Sequence, residues 1–239
     1  MSGSQYIALS GLRARVDELD RLAADIANIG TVGYKSTREA RAAAERDAFA
    51  DALQTAIDTT HGGRRLDTTA GALVQTGRSL DLSIDGQGFF VVETSAGPRY
   101  TRDGSFSVNP EQQLVTRDGS IVQGTGGPIT VGDGEIRVDT DGTVWAGTTQ
   151  AGQLLVVDFP DRGALVNERG SLLRADGQTA TPIERPVVQS GSLEQSNVSM
   201  ADRIASLTTV SRGFEALQKA LSLMMNDVDG RAIEHLGKR

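Results

Sequence analysis

Cysteine is absent from the chain, which removes disulfides, thiolate catalysis and cysteine-ligated metal at once. Histidine is nearly absent: His61 and His235 are the only two, both in polar surroundings near segment ends. Neither has a carboxylate cluster at ligand spacing beside it, so both read as surface residues and no metal is expected. Aromatic residues make up 4% of the chain and apolar residues 38%, which describes a modest, turn-rich core and not a dense enzyme interior. No apolar run approaches the ~20 residues that span a bilayer, so direct membrane insertion is not expected. Met1 to Tyr6 lack a charged stretch leading into an apolar one, so no cleavable signal is read there. Positive charge is in deficit: 24 Lys and Arg against 31 Asp and Glu leave a net charge of −7. The cations are scattered, which argues against nucleic acid as a partner.

Catalytic signatures are equally thin. Gly86-Gln87-Gly88 opens like a dinucleotide fingerprint, but Val91 stands where the third glycine belongs and no helical pattern follows. Asp139-Thr140-Asp141-Gly142 begins like a calcium loop and lacks its third acidic ligand and closing glutamate. There is no Gly-x-Ser-x-Gly elbow. Carboxylates are plentiful, yet nothing in their spacing singles out an acid/base pair. No catalytic residue, cofactor or metal ligand is assigned.

What is present is periodicity. Leu9, Leu12, Val16, Leu19, Ala23 and Ile26 recur at alternating steps of three and four, and so do Leu207, Val210, Phe214, Leu217, Leu221, Met224 and Val228. This is the a/d spacing of a heptad seam, which asks for a partner helix. The first helix is expected from about Ser4 to Asn28, closed by a left-handed Gly30. The last is expected from an N-cap at Ser199, paired with Asp202, to about Asp229. Thr37 to Thr59 is Ala-rich and charged, with Phe49, Leu53 and Ile57 at steps of four, and reads as helix-prone.

From Leu80 the period changes to two, through Leu82, Ile84 and Phe89-Phe90-Val91-Val92. Six Asp-Gly pairs, at 85, 103, 118, 133, 141 and 176, supply the positive φ that tight turns need. Arg102-Asp103-Gly104 and Arg117-Asp118-Gly119 look like two similar turns. The expected class is α+β, with the terminal helices paired as a coiled-coil domain and an antiparallel, turn-rich β-domain inserted between them. The expected divisions are 1–35 (N-terminal helix), 36–79 (linker or helix-prone segment), 80–188 (β-domain) and 189–239 (C-terminal helix). On the residues alone, a wall-cleaving glycosidase and a coiled-coil adaptor both stay open beside a self-stacking subunit.

Three blocks taken together resemble the flagellar rod/hook protein family. The first runs from Ala8-Leu9-Ser10-Gly11-Leu12 through Leu22-Ala23-Ala24-Asp25-Ile26-Ala27-Asn28 to Thr31-Val32-Gly33-Tyr34-Lys35. It is similar to the family's N-terminal helix and following turn, with Ala24-Asp25 where two asparagines are more usual. The second is Leu80-Asp81-Leu82-Ser83-Ile84-Asp85-Gly86-Gln87-Gly88-Phe89-Phe90, continued by Tyr100-Thr101-Arg102-Asp103-Gly104. The third is Gln189-Ser190-Gly191-Ser192-Leu193-Glu194-Gln195-Ser196-Asn197-Val198-Ser199, followed by Arg212-Gly213-Phe214-Glu215-Ala216. The short length and compact β-region resemble a rod member more than the hook member, with the proximal rod ahead of the distal rod.

The resemblance implies a structural subunit of the basal-body rod. Implied partners are copies of itself, other proximal and distal rod subunits, and the flagellar type III export apparatus. The implied location is the periplasm-spanning rod, reached without a cleaved signal. The two seams, with Asn28, Gly33, Tyr34, Leu193 and Asn197 of the flanking blocks, are the implied assembly surface.

Overall fold

A computed structural model describes residues 3–39 and 64–236. The chain forms two compact units, one carrying the helices and the other made of Asn28–Glu39 and Arg64–Val198.

The second unit is built from short antiparallel strands. Phe89–Thr94 lies at its centre, paired with Gly97–Thr101 on one side and with Ile121–Gly124 on the other. Val156–Asp158 also pairs with its first residues. From Gly97–Thr101 the sheet continues to Leu172–Arg174 and Val166–Arg169, and from Ile121–Gly124 to Leu114–Val115 and Ser107–Val108. Side chains alternate across a strand, so a strand covered on both faces must be apolar throughout. Phe89-Phe90-Val91-Val92 meets that demand. Phe90 and Val92 join Leu82, Phe106, Leu114, Val122 and Leu154 in one core. Phe89 and Val91 join Leu66, Val157, Phe159, Leu165 and Leu173 in another. Edge-on ring contacts tighten both, Phe90 with Phe106 at 5.2 Å and Tyr100 with Phe159 at 4.7 Å between centroids.

Of the six Asp-Gly pairs, five place glycine at positive φ. Only those at 118 and 141 join strands that pair directly with each other. The exception at positive φ is Gly104, where a Cβ would lie 1.8 Å from the Leu82 carbonyl oxygen, so glycine serves a close approach and not a turn angle.

Four strands of this unit lie outside 80–188. Thr37–Glu39 pairs with Arg64–Leu66, and Leu73–Gln75 pairs with Ser192–Glu194. A helical reading at 37–39 therefore gives way to a strand. The remainder of that reading, with Phe49, Leu53, Ile57 and His61, lies outside the described residues.

In the first unit, α1 spans Gly3–Ala27 and α2 spans Met200–Leu236. Ser199 caps α2 as expected, its Oγ accepting from the Asp202 N–H at 3.4 Å. α2 passes through Gly230 instead of stopping at Asp229. Gly30 is not left-handed; Gly33, at φ 68°, is the residue that is.

The expected fold class is corrected. The described chain is mostly β-structure, with nineteen short strands and two α-helices, and it is not a coiled coil of paired terminal helices with an inserted β-domain. The phase of the buried helix face shows why. On α1 the seam positions Val16 and Ala23 are exposed, whereas Leu22 and Asp25 are fully buried. Arg203 of α2 reaches Asp25 at 3.0 Å, and Arg21 stands 3.8 Å from the same carboxylate. The helices thus meet in part through a buried charge at a position outside the a/d set.

Candidate assembly site

The residues singled out in the sequence divide between the two units. Leu9 lies in α1 and Leu221, Met224 and Val228 in α2, where their side chains are not described. Leu12, Leu19 and Ile26 are half-buried, as are Leu207, Phe214 and Leu217, while Val210 is buried. Val16 remains 42% exposed, and Met200 and Ile204, one turn apart at the start of α2, are 57% and 46% exposed. Single exposed apolar side chains are ordinary, and these two lie on neighbouring turns of one helix.

Asn28, Gly33, Tyr34, Leu193 and Asn197 belong to the β unit, and its hydrogen bonds bring most of them together. The Gly33 N–H donates to the Glu194 carbonyl at 2.7 Å, and the Asn197 N–H to the Tyr34 carbonyl at 3.3 Å. Asn197 works in both directions: its Oδ1 accepts from the Ser36 N–H at 2.8 Å and its Nδ2 donates to the Asp67 carbonyl at 2.8 Å. A Cβ at Gly33 would fall 2.2 Å from the Asp103 nitrogen, so the turn permits no side chain there. Asn28 takes part in the turn ahead of them, its carbonyl accepting from the Thr31 N–H at 3.1 Å and its Oδ1 from the Thr31 hydroxyl at 3.1 Å. Tyr34 and Leu193 are buried, Tyr34 at 4% exposure. They hold the fold and present little surface to a neighbour.

At the centre of this junction are three charges that the sequence reading passed over. Lys35 Nζ donates to Glu194 Oε1 at 2.5 Å and to the Thr69 carbonyl at 2.6 Å. Glu194 Oε1 also accepts from the Gly71 N–H at 2.9 Å. Its Oε2 accepts from Arg102 Nη1 at 3.2 Å. Arg102 donates further to the Ile84 and Gly86 carbonyls, at 3.2 and 2.7 Å, and stacks 5.5 Å over the Phe89 ring. Lys35 and Glu194 are each 2% exposed. Burial pushes the Lys35 ammonium below the ordinary lysine range, with Glu194 pulling the other way, and burial likewise lowers Arg102. The only sequence signal was position: Lys35 closes Gly33-Tyr34-Lys35, and Glu194 sits in Ser192-Leu193-Glu194.

The echoed turns diverge in the same terms. Asp103 and Asp118 each accept hydroxyl donors from neighbours two residues away, Ser105 at 2.5 Å and Thr116 at 2.5 Å. Arg102 is buried in the junction while Arg117 is exposed. Among the described residues no group of three or more His, Cys, Asp or Glu is arranged to hold a metal.

Comparison with known proteins decides the family. Residues 83–146 match the family model described as the flagellar hook protein FlgE/F/G D1 domain. Residues 189–228 match the flagellar basal body rod FlgEFG protein C-terminal model. The chain is 33% identical over 248 residues to the flagellar basal-body rod protein FlgF of Caulobacter vibrioides, covering 100% of this chain and 99% of that protein. The chain belongs to the flagellar basal-body rod protein family. FlgF of Rhizobium meliloti is also 33% identical, over 99% of both chains. FlgG of Bacillus subtilis is 29% identical over 93% of this chain and 95% of its own. This rod protein is thus FlgF-like in preference to FlgG-like, a structural subunit and not an enzyme. Its place is among the components of the basal-body rod.

Proposed function

We propose that the chain is a proximal-rod subunit that stacks with copies of itself and with neighbouring rod proteins, forming part of the drive shaft that transmits torque. The observation that carries this reading is its similarity to FlgF along the entire chain, both helices included. The assembly surface is assigned to Leu9, Leu12, Val16, Leu19, Ala23 and Ile26 of α1 and to Leu207, Val210, Phe214, Leu217, Leu221, Met224 and Val228 of α2. Asn28, Gly33, Tyr34, Leu193 and Asn197 support it by shaping the junctions. Exposed Val16, Met200 and Ile204 agree with helix faces that neighbours cover. Each Leu, Phe or Met fully covered on assembly contributes roughly 1.5–3 kcal/mol. Contacts between unlike faces do not close, so they propagate as a helical stack. Torque then passes through many parallel contacts, and no bond chemistry is required.

The same reading implies export by the flagellar type III apparatus and a final position in the periplasm-spanning rod. The test is Leu217→Asp in the full-length chain. The protein is expected to be made, as judged by immunoblot, while swimming in soft agar is lost. Normal swimming would remove Leu217 and its helix face from the assembly surface.

A further inference from the structure

We propose that Lys35, Arg102 and Glu194 are positioning residues for assembly, whose buried charges set the register in which the chain enters and leaves the β unit. The inference rests on the chain being a rod subunit, and it names a determinant that neither family resemblance nor helix pattern assigns. The entering segment runs from Asn28 to Ser36 and the leaving segment from Ser192 to Val198. Lys35 and Glu194 join them directly, and Glu194 and Lys35 both reach the intervening stretch at Gly71 and Thr69. Arg102 anchors the same carboxylate to the central sheet through the Ile84 and Gly86 carbonyls.

Stability alone is a weak account of such an arrangement. Three charges lose their water here, and buried ion clusters replaced by apolar residues of similar volume often leave a protein as stable or more so. Register is another matter. A strand with one buried face has its register fixed by its side-chain pattern, because a one-residue slip turns that face outward. Leu73–Gln75, the partner of Ser192–Glu194, is exposed at all three residues, so its pattern favours no face. What marks its position is Gly71, where a Cβ would lie 1.9 Å from the Gln195 carbonyl oxygen, and the Glu194 carboxylate accepting from that same Gly71. The charges make one alignment of the two exits distinctly better than its neighbours.

The test uses full-length chain in cells lacking the native copy, with Lys35→Met/Arg102→Met/Glu194→Leu as the main variant. Two quantities are read: the unfolding midpoint of the purified protein, and its amount in purified hook–basal bodies by immunoblot. The expected result is a protein that still unfolds cooperatively, with a midpoint at or modestly below wild type, and incorporation reduced to the background of the deletion strain. Wild-type incorporation of the triple variant would overturn the proposal. Lys35→Met alone, which leaves the Arg102–Glu194 pair neutral as a whole, decides the matter if the triple variant does not fold. It is expected to fold and to incorporate poorly, and wild-type incorporation again overturns the proposal. Absence of the unmutated chain from basal bodies would instead defeat the rod reading itself, a distinguishable outcome.

Discussion

Removing Glu194 and removing Lys35 are unequal operations, although they break the same 2.5 Å contact. Without Glu194 two cations, Lys35 and Arg102, remain buried without their direct ion-pair partner, and the Gly71 N–H loses its acceptor. Breaking a buried pair in this way costs about 3–5 kcal/mol. Without Lys35 the remaining Arg102–Glu194 pair is balanced, and the loss is that of a charged hydrogen bond, about 1.5–3 kcal/mol. Denaturant unfolding of Glu194→Leu and Lys35→Met is therefore expected to rank the glutamate variant as the weaker. Asp103 offers a pH test. Burial holds its carboxyl above the usual carboxylate range, against the opposing pull of the Ser105 hydroxyl and N–H. An acid whose folded pKa is raised binds its proton more tightly when folded. Its contribution to stability is thus greatest at low pH and declines as pH climbs from the unfolded value, about 3.9, through the higher folded one. Asparagine keeps an acceptor for both Ser105 donors and carries no charge. Asp103→Asn is expected to be the more stable protein at neutral pH, with the gap closing below about pH 3.9 in urea titrations.

Glycines divide the connecting elements into those that tolerate a side chain and those that do not. Gly33 combines φ 68° with backbone of Arg102 and Asp103 inside the space a Cβ would need. Gly33→Ala is expected to cost about 3 kcal/mol or more, since both strain and overlap must be relieved. Gly30 has open space around it and no positive φ, so Gly30→Ala should stabilise by roughly 0.4–1 kcal/mol through the unfolded chain. Thermal unfolding of the pair checks the contrast. The sequence pointed to Gly30 as the left-handed residue because it directly follows a helical pattern, and the turn that needs the angle lies three residues later. Phe89–Val92 was legible because a strand covered on both faces must be apolar at every position. Leu73–Gln75 was not, because a strand exposed on both faces carries no period. The helix seams were legible as helix and misleading as packing. Asp25 and Arg203 carry charges that periodicity assigns to the solvent side, yet Asp25 is fully buried.

At the level of the whole chain, family blocks were legible because they are local, whereas the charged junction was not because its partners lie far apart. Lys35 and Glu194 are separated by 159 positions, and Arg102 comes from a third block. Sequence alone places a lysine, an arginine and a glutamate on the surface; only the closing of the β unit puts them together. The coiled-coil expectation failed for a related reason, since the buried face of a helix is set by what it meets and not by its own period. What survives is a structural subunit with a mostly β body, two helices whose apolar side chains remain partly uncovered, and full-length similarity to FlgF. The central claim is that this chain is built into the rod. Hook–basal bodies purified from cells expressing an epitope-tagged full-length chain, probed by immunoblot and immunogold labelling, test it most directly. The tag is expected to co-purify and to label the rod; intact basal bodies devoid of the tagged chain would contradict the account.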